Sequence, residues 1–141
     1  MAKPVKLEVI TPSKLFYKGE VTLVMCRTFE GYEGFMADHT WACKLLDVGE
    51  LCIQECGSNE FKTAAISGGY IDVKDSFIIY TDAAEWAEEI DVNRAKALKE
   101  EAENWLKQAH EDQKEIELAK HAIAKAITRM NVSGGGIRHR R

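Results

Sequence analysis

The chain has 141 residues, 45% hydrophobic and 30% charged, which suits one small soluble-type core with an appendage. Its 19 Lys and Arg against 23 Asp and Glu leave a formal net charge of −4, which argues against a nucleic-acid binder with a basic whole-chain footprint. No stretch approaches the ~20 apolar residues needed to cross a bilayer, and the opening Met1-Ala2-Lys3-Pro4 lacks the apolar core of a secretion signal, so another subunit would have to hold the chain at any membrane.

From Val5 to about Asp82 the hydrophobic rhythm is mostly two. Val5, Leu7 and Val9 alternate with Lys6 and Glu8 before Thr11-Pro12-Ser13 breaks the run. Val21, Leu23 and Met25 lead to a turn-rich Glu30-Gly31-Tyr32-Glu33-Gly34. Short runs follow at Trp41 to Leu46, Glu50 to Glu55, Phe61 to Ser67, Tyr70 to Lys74 and Phe77 to Thr81. Asp47-Val48-Gly49, Gly57-Ser58-Asn59, Gly68-Gly69 and Lys74-Asp75-Ser76 separate them. Short strands at this spacing predict an antiparallel β-sandwich or barrel. No Gly-Lys-Ser/Thr follows Gly68-Gly69, so a bulge or close backbone approach explains that pair better than a phosphate cradle.

After Asp82 the period changes. Residues 83–130 contain no Gly or Pro and are rich in helix formers. One apolar series runs Val92, Ala95, Leu98, Ala102, Trp105, Leu106, Ala109, and a second runs Ile116, Ala119, Ile123, Ala126, Ile127, Met130. With Asp91 as N-cap, the first helix is expected to reach about His110. A turn at His110-Glu111-Asp112-Gln113 then makes an antiparallel hairpin. The expected division is a β-sandwich over 1–84, a helical hairpin over 85–132 and a flexible basic tail over 133–141 ending in Arg138-His139-Arg140-Arg141.

Several motifs occur together and in order. They are Val9-Ile10-Thr11-Pro12; Glu30-Gly31-Tyr32-Glu33-Gly34-Phe35 followed by His39; Ser67-Gly68-Gly69-Tyr70; and Asp82-Ala83-Ala84-Glu85 with Glu89-Ile90-Asp91-Val92-Asn93-Arg94-Ala95. This ordered set resembles the epsilon subunit of the bacterial F-type ATP synthase. Ala37-Asp38-His39 departs from the Pro-Gly-His common in that family, and Trp41 and the four cysteines are not among its usual features.

The resemblance implies a peripheral, non-catalytic subunit of the central stalk on the cytoplasmic face of the membrane. Its partners would be the gamma subunit and the c-ring, with the alpha and beta subunits added when the hairpin extends to block ATP hydrolysis. It places Glu30, Glu33 and His39 at a subunit interface. It also implies a regulatory ATP held by Glu85, Asp91, Arg94 and Arg129, with no cofactor required for function. Glu101 and Lys125 stand where ATP-binding relatives carry further arginines. The plainer reading of two of these residues is that Asp91 caps the helix while Arg94 pairs with a nearby carboxylate.

Cys52 and Cys56 form a Cys-x3-Cys without a second close pair, so buried strand thiols are favoured over a zinc site completed by Cys26, Cys43 and His39. Two rivals remain: a free-standing sandwich that binds sugar or peptide, and a small metal-dependent β-barrel enzyme using His39 and the cysteines.

Overall fold

The computed structural model describes residues 3–135, so the cluster Arg138 to Arg141 lies outside the described residues. Seven strands come first: β1 (Val5–Ile10), β2 (Leu15–Thr28), β3 (Gly31–Phe35), β4 (Ala42–Glu55), β5 (Phe61–Val73), β6 (Phe77–Tyr80) and β7 (Ala84–Trp86). A single 3-10 turn over Ala87–Glu89 leads to α1 (Val92–Leu106) and α2 (Gln113–Ser133).

The strands form a β-sandwich. One sheet consists of the first half of β2, then β1, β6, the end of β5 and the start of β4. The other consists of β3, the rest of β2 and β4, the start of β5, and β7. Every pairing is antiparallel except β1–β6, which is parallel.

Three strands run through both sheets, and each reverses its inward parity at the crossing. In β2 the buried residues change from Val21 to Val24 and Cys26; in β4 from Leu46 to Leu51 and Ile53; in β5 from Ala64 and Ile66 to Ile71 and Val73. Because side chains alternate across a strand, such a change needs a local twist. In β2 it coincides with a register shift between Val21 and Leu23. In β5 it falls at Gly68 and Gly69, whose φ angles are 91° and 121°.

These crossings correct the expected segmentation. Asp47-Val48-Gly49 and Gly68-Gly69 do not separate strands, since β4 and β5 stay paired through them, Val48 opposite Ser67 and Leu46 opposite Gly69. The Glu30–Gly34 segment is likewise more than a turn, because Gly31–Phe35 pairs with β2 as an edge strand. The sheet also continues to Trp86 through β7, which pairs with β5.

Both helices begin on aspartates. Asp91 accepts from the Arg94 backbone N–H at 3.0 Å, and Asp112 from that of Lys114 at 2.9 Å. α1 stops short of the expected His110. The His110 ring stacks on Trp105, and its Nε2–H donates to the Trp105 carbonyl, which Gln108 N–H also reaches. With its last carbonyls taken this way, the helix closes at Leu106. α2 lies against β4 and β5, and α1 packs on α2. No helix among the described residues is long and apolar enough to cross a membrane.

Candidate functional site

The hairpin does not lie flush on the sandwich. Ala65, Ile90 and Val132 form a small buried cluster, and Ala95 and Ala126 are also buried, but Leu98 and Ile127 remain 41% exposed. Alanines reach too short a distance to fill the remaining space. A cleft of about 850 Å³ opens between the helices and the sheet, walled by Ala65, Ile66, Ala84, Ala102, Trp105 and Ala122. Its charged lining is balanced, with Lys14, Lys125 and Arg129 against Glu85, Glu89 and Glu101.

Glu85, on β7, and Arg129, on α2, meet in this cleft. Arg129 Nε donates to Glu85 Oε1 at 2.7 Å and Nη2 donates to Oε2 at 3.3 Å. The geometry is the two-pronged fork in which guanidinium and carboxylate bind most strongly. Both side chains are largely withdrawn from solvent, at 21% and 32% exposure. Next to Glu85, Trp86 stacks on Phe16 with centroids 4.4 Å apart and meets Tyr17 edge-on at 6.0 Å, which fixes β7 to the sandwich.

Asp91 and Arg94 are not part of this meeting. Asp91 is engaged as the α1 N-cap, and neither residue lines the cleft. The Arg94 side chain is exposed and has no ion pair among the described residues, so its expected carboxylate partner is not observed. Of the four residues connected with ATP, the structure thus brings two together.

Glu30, Glu33 and His39 surround β3 in different settings. Glu30 is exposed in the β2–β3 turn. His39 packs beside Phe35 at 5.1 Å, and its Nδ1 lies 2.7 Å from the Thr40 carbonyl. Glu33 accepts from Lys44 Nζ at 2.6 Å. That bond, helped by the Thr28 hydroxyl, holds the Glu33 carboxyl below its ordinary range. Beside it, burial first and the Glu33 charge second push the Cys26 thiol up to about 12. Cys52 is also buried, whereas Cys43 and Cys56 are exposed.

The sign of the Glu33 effect on stability follows. Its lowered folded value means that the unfolded chain binds this proton more readily. The contribution is therefore complete above the ordinary carboxylate range and is lost as pH falls through the lowered value. Glu33→Gln should remove that part of the acid dependence. Its urea midpoint is expected to drop less than that of the unsubstituted chain between about pH 6 and about pH 3, measured by circular dichroism.

The sheet opposite the hairpin carries an apolar row that periodicity alone did not single out. Leu15 pairs with Ile10, Ile10 with Tyr80, Tyr80 with Tyr70, and Tyr70 with Leu45, crossing β2, β1, β6, β5 and β4. Leu45 is 68% exposed, Leu15 50% and Tyr70 39%. Tyr70 and Tyr80 stack with centroids 4.9 Å apart. The available signal was the excess of apolar residues at outward positions of these strands, which is readable only once register and crossing points are known.

An apolar row of this breadth lies bare on one side of a sandwich whose other side is covered by the hairpin. The fold defines the class: a β-sandwich protein with a two-helix hairpin packed on one sheet. Residues 4–87 match the family ATP synthase, Delta/Epsilon chain, beta-sandwich domain, and residues 88–134 match ATP synthase, Delta/Epsilon chain, long alpha-helix domain. The ATP synthase epsilon chain of Alkaliphilus metalliredigens is 44% identical over 107 residues, covering 75% of this chain and 78% of that one. That of Caldanaerobacter subterraneus subsp. tengcongensis is 38% identical over 135 residues, covering 94% and 96%. A chain of the Euglena gracilis mitochondrial ATP synthase, solved as OSCP/F1/c-ring, superposes with a TM-score of 0.76 at 25% identity, covering 89% of this chain and 78% of that one. The chain belongs to the epsilon-chain family of ATP synthases.

Proposed function

We propose that the chain is a non-catalytic rotor subunit of the central stalk of an ATP synthase, peripheral to the membrane. The sandwich joins the gamma subunit to the c-ring and keeps ring and shaft turning together during ion-driven ATP synthesis. The hairpin is a regulatory arm: docked it permits ATP hydrolysis, and extended toward the alpha and beta subunits it blocks it. The observation that carries the rotor reading is the bare row of Leu15, Ile10, Tyr80, Tyr70 and Leu45, since the sheet on the other side is already covered by the chain's own helices. Family membership and similarity to a chain of a solved F1/c-ring assembly support the same reading.

Regulation by ATP through Glu85, Asp91, Arg94 and Arg129 belongs to this proposal. Arg129 gives Nε–H and one Nη2–H to Glu85, so a phosphate would be gripped through its remaining donors at Nη1 and Nη2.

The test places charge on the bare face. Leu45→Asp with Tyr70→Asp should abolish copurification with gamma while circular dichroism of the isolated chain stays unchanged, because both side chains point away from the sandwich core. Retention on gamma at unsubstituted levels would remove this face from the interface.

A further inference from the structure

The bare row is one residue deep and crosses five strands, and its surroundings limit what can lie on it. One outward step along the strands lie Lys18 on β2, Glu8 on β1, Ile78 on β6, Asp72 on β5 and Cys43 on β4. Strand pairing sets these side by side as a second, mostly polar row. On the other side of the apolar row the sheet ends, since β1 stops at Ile10, β6 stops at Tyr80 and β2 begins at Leu15. The apolar strip therefore runs along the rim of the sheet with a charged flank on its inner side.

Neighbouring strands lie about 4.8 Å apart, so the strip is about 19 Å long and runs across the strands. An extended partner segment laid along it would present same-side residues about 6.8 Å apart, out of step with the strands. Its backbone groups would also face side chains rather than a free sheet edge. A helix presents one turn about every 5.4 Å, close to the strand spacing, and about 13 residues of it span the strip. An amphipathic stripe at i, i+3, i+4 and i+7 has the narrow width that a row one residue deep can cover.

We infer that the strip is filled by a single amphipathic helix of the gamma subunit, lying across the five strands with one turn on each. This rests on the reading of the bare face as a contact with gamma, and adds the shape and direction of the element that fills it. Tyr70 and Tyr80, stacked at 4.9 Å, stand near the middle of the strip and are its rigid anchors. The shoulder of the helix falls over the second row. Asp72 already has Lys74 at 3.8 Å, so Glu8 sets the sharper demand there, for a Lys or Arg on the shoulder above β1.

The experiment is photo-crosslinking in the assembled synthase, with p-benzoylphenylalanine in place of Leu15, Tyr80 or Leu45 and the attached peptides sequenced by mass spectrometry. All three positions should attach to one gamma segment, with the Tyr80 attachment about seven residues from each of the other two, because two strand spacings match about seven residues of helical rise. That segment should carry Lys or Arg on the side facing Glu8. Attachments about three residues apart, as in an extended segment, would overturn the helix and leave the contact with gamma standing. So would attachments scattered over several gamma segments, or an acidic shoulder. Attachment to the c-ring, to a second copy of this chain, or to nothing would overturn the reading of the face and the inference with it. Where a probe at Leu15 or Leu45 prevents assembly, probes at Tyr70 and Tyr80 keep the shape of the native ring and give the same decision. Their attachments should lie about three or four residues apart on a helix and about one or two apart on an extended segment.

Discussion

Truncation after Ile90 is expected to raise ATP hydrolysis by the reconstituted head complex about fivefold or more, the release that follows when an arm blocking roughly four complexes in five is removed. The deletion takes away α1 and α2, which hold 15 and 21 residues. At 1.5 Å per residue these helices are about 22 and 32 Å long, enough to reach well beyond the sandwich once released. The sandwich should survive the cut, because its main buried cluster is built wholly from strand residues. The truncation uncovers Ala65 and leaves Ile90 without Val132, which costs little beside the strand core. Hydrolysis is measured with gamma and the truncated chain confirmed in the complex. An unchanged rate there would mean that the helices are not an inhibitory arm.

Gly69→Ala should be the most damaging single substitution, lowering stability by about 3–5 kcal/mol. A Cβ at this position would lie 1.8 Å from the Tyr80 carbonyl oxygen and 2.9 Å from Thr81 Cα, both backbone atoms that cannot swing aside. The residue also has φ 121°, a conformation that L side chains rarely adopt. Relief would require β6 to move from β5, and β6 also carries Phe77 and Ile79 into the core. Gly57→Ala is the control. Its φ is 83°, but a Cβ there meets nothing within 4 Å, so only the backbone strain of about 1 kcal/mol is expected. Urea midpoints decide the matter: equal losses at the two positions would show that the close approach at Gly69 does not constrain the fold.

Much of the architecture was legible because periodicity is a local property. The alternation of Val5, Leu7 and Val9 places these residues in the core of β1. The loss of glycine and proline after Asp82 marks the helices, with Asp91 capping the first. The errors fall where non-local pairing overrides a local signal. Asp47-Val48-Gly49 and Gly68-Gly69 have the composition of turns, yet each sits in a strand that twists from one sheet into the other while remaining paired. The apparent turn at Glu30–Gly34 contains β3 because β2 offers it an edge.

The candidate site was less legible. Glu85 and Arg129 were both singled out, but as ligands of a nucleotide rather than as partners. They lie 44 positions apart, and no spacing rule brings a strand residue to a helix residue over that distance. Lys44 was not considered as a partner for Glu33, although their bond fixes the charge state of that carboxyl. Trp86 belongs to none of the sequence motifs, yet its stacking on Phe16 anchors the strand that bears Glu85.

The crossing strands have a mechanical consequence. In a sandwich of two independent sheets, a sideways load on one face reaches the other only through side-chain contact, and the layers can slide. Here β2, β4 and β5 run through both layers, so the same covalent backbone is anchored by ladder hydrogen bonds on each side. Shearing one face against the other must stretch peptide chain or strip paired strands, both stiffer responses than slipping side chains past one another. The body therefore transmits twist as a single piece, and compliance is left to the link after Trp86.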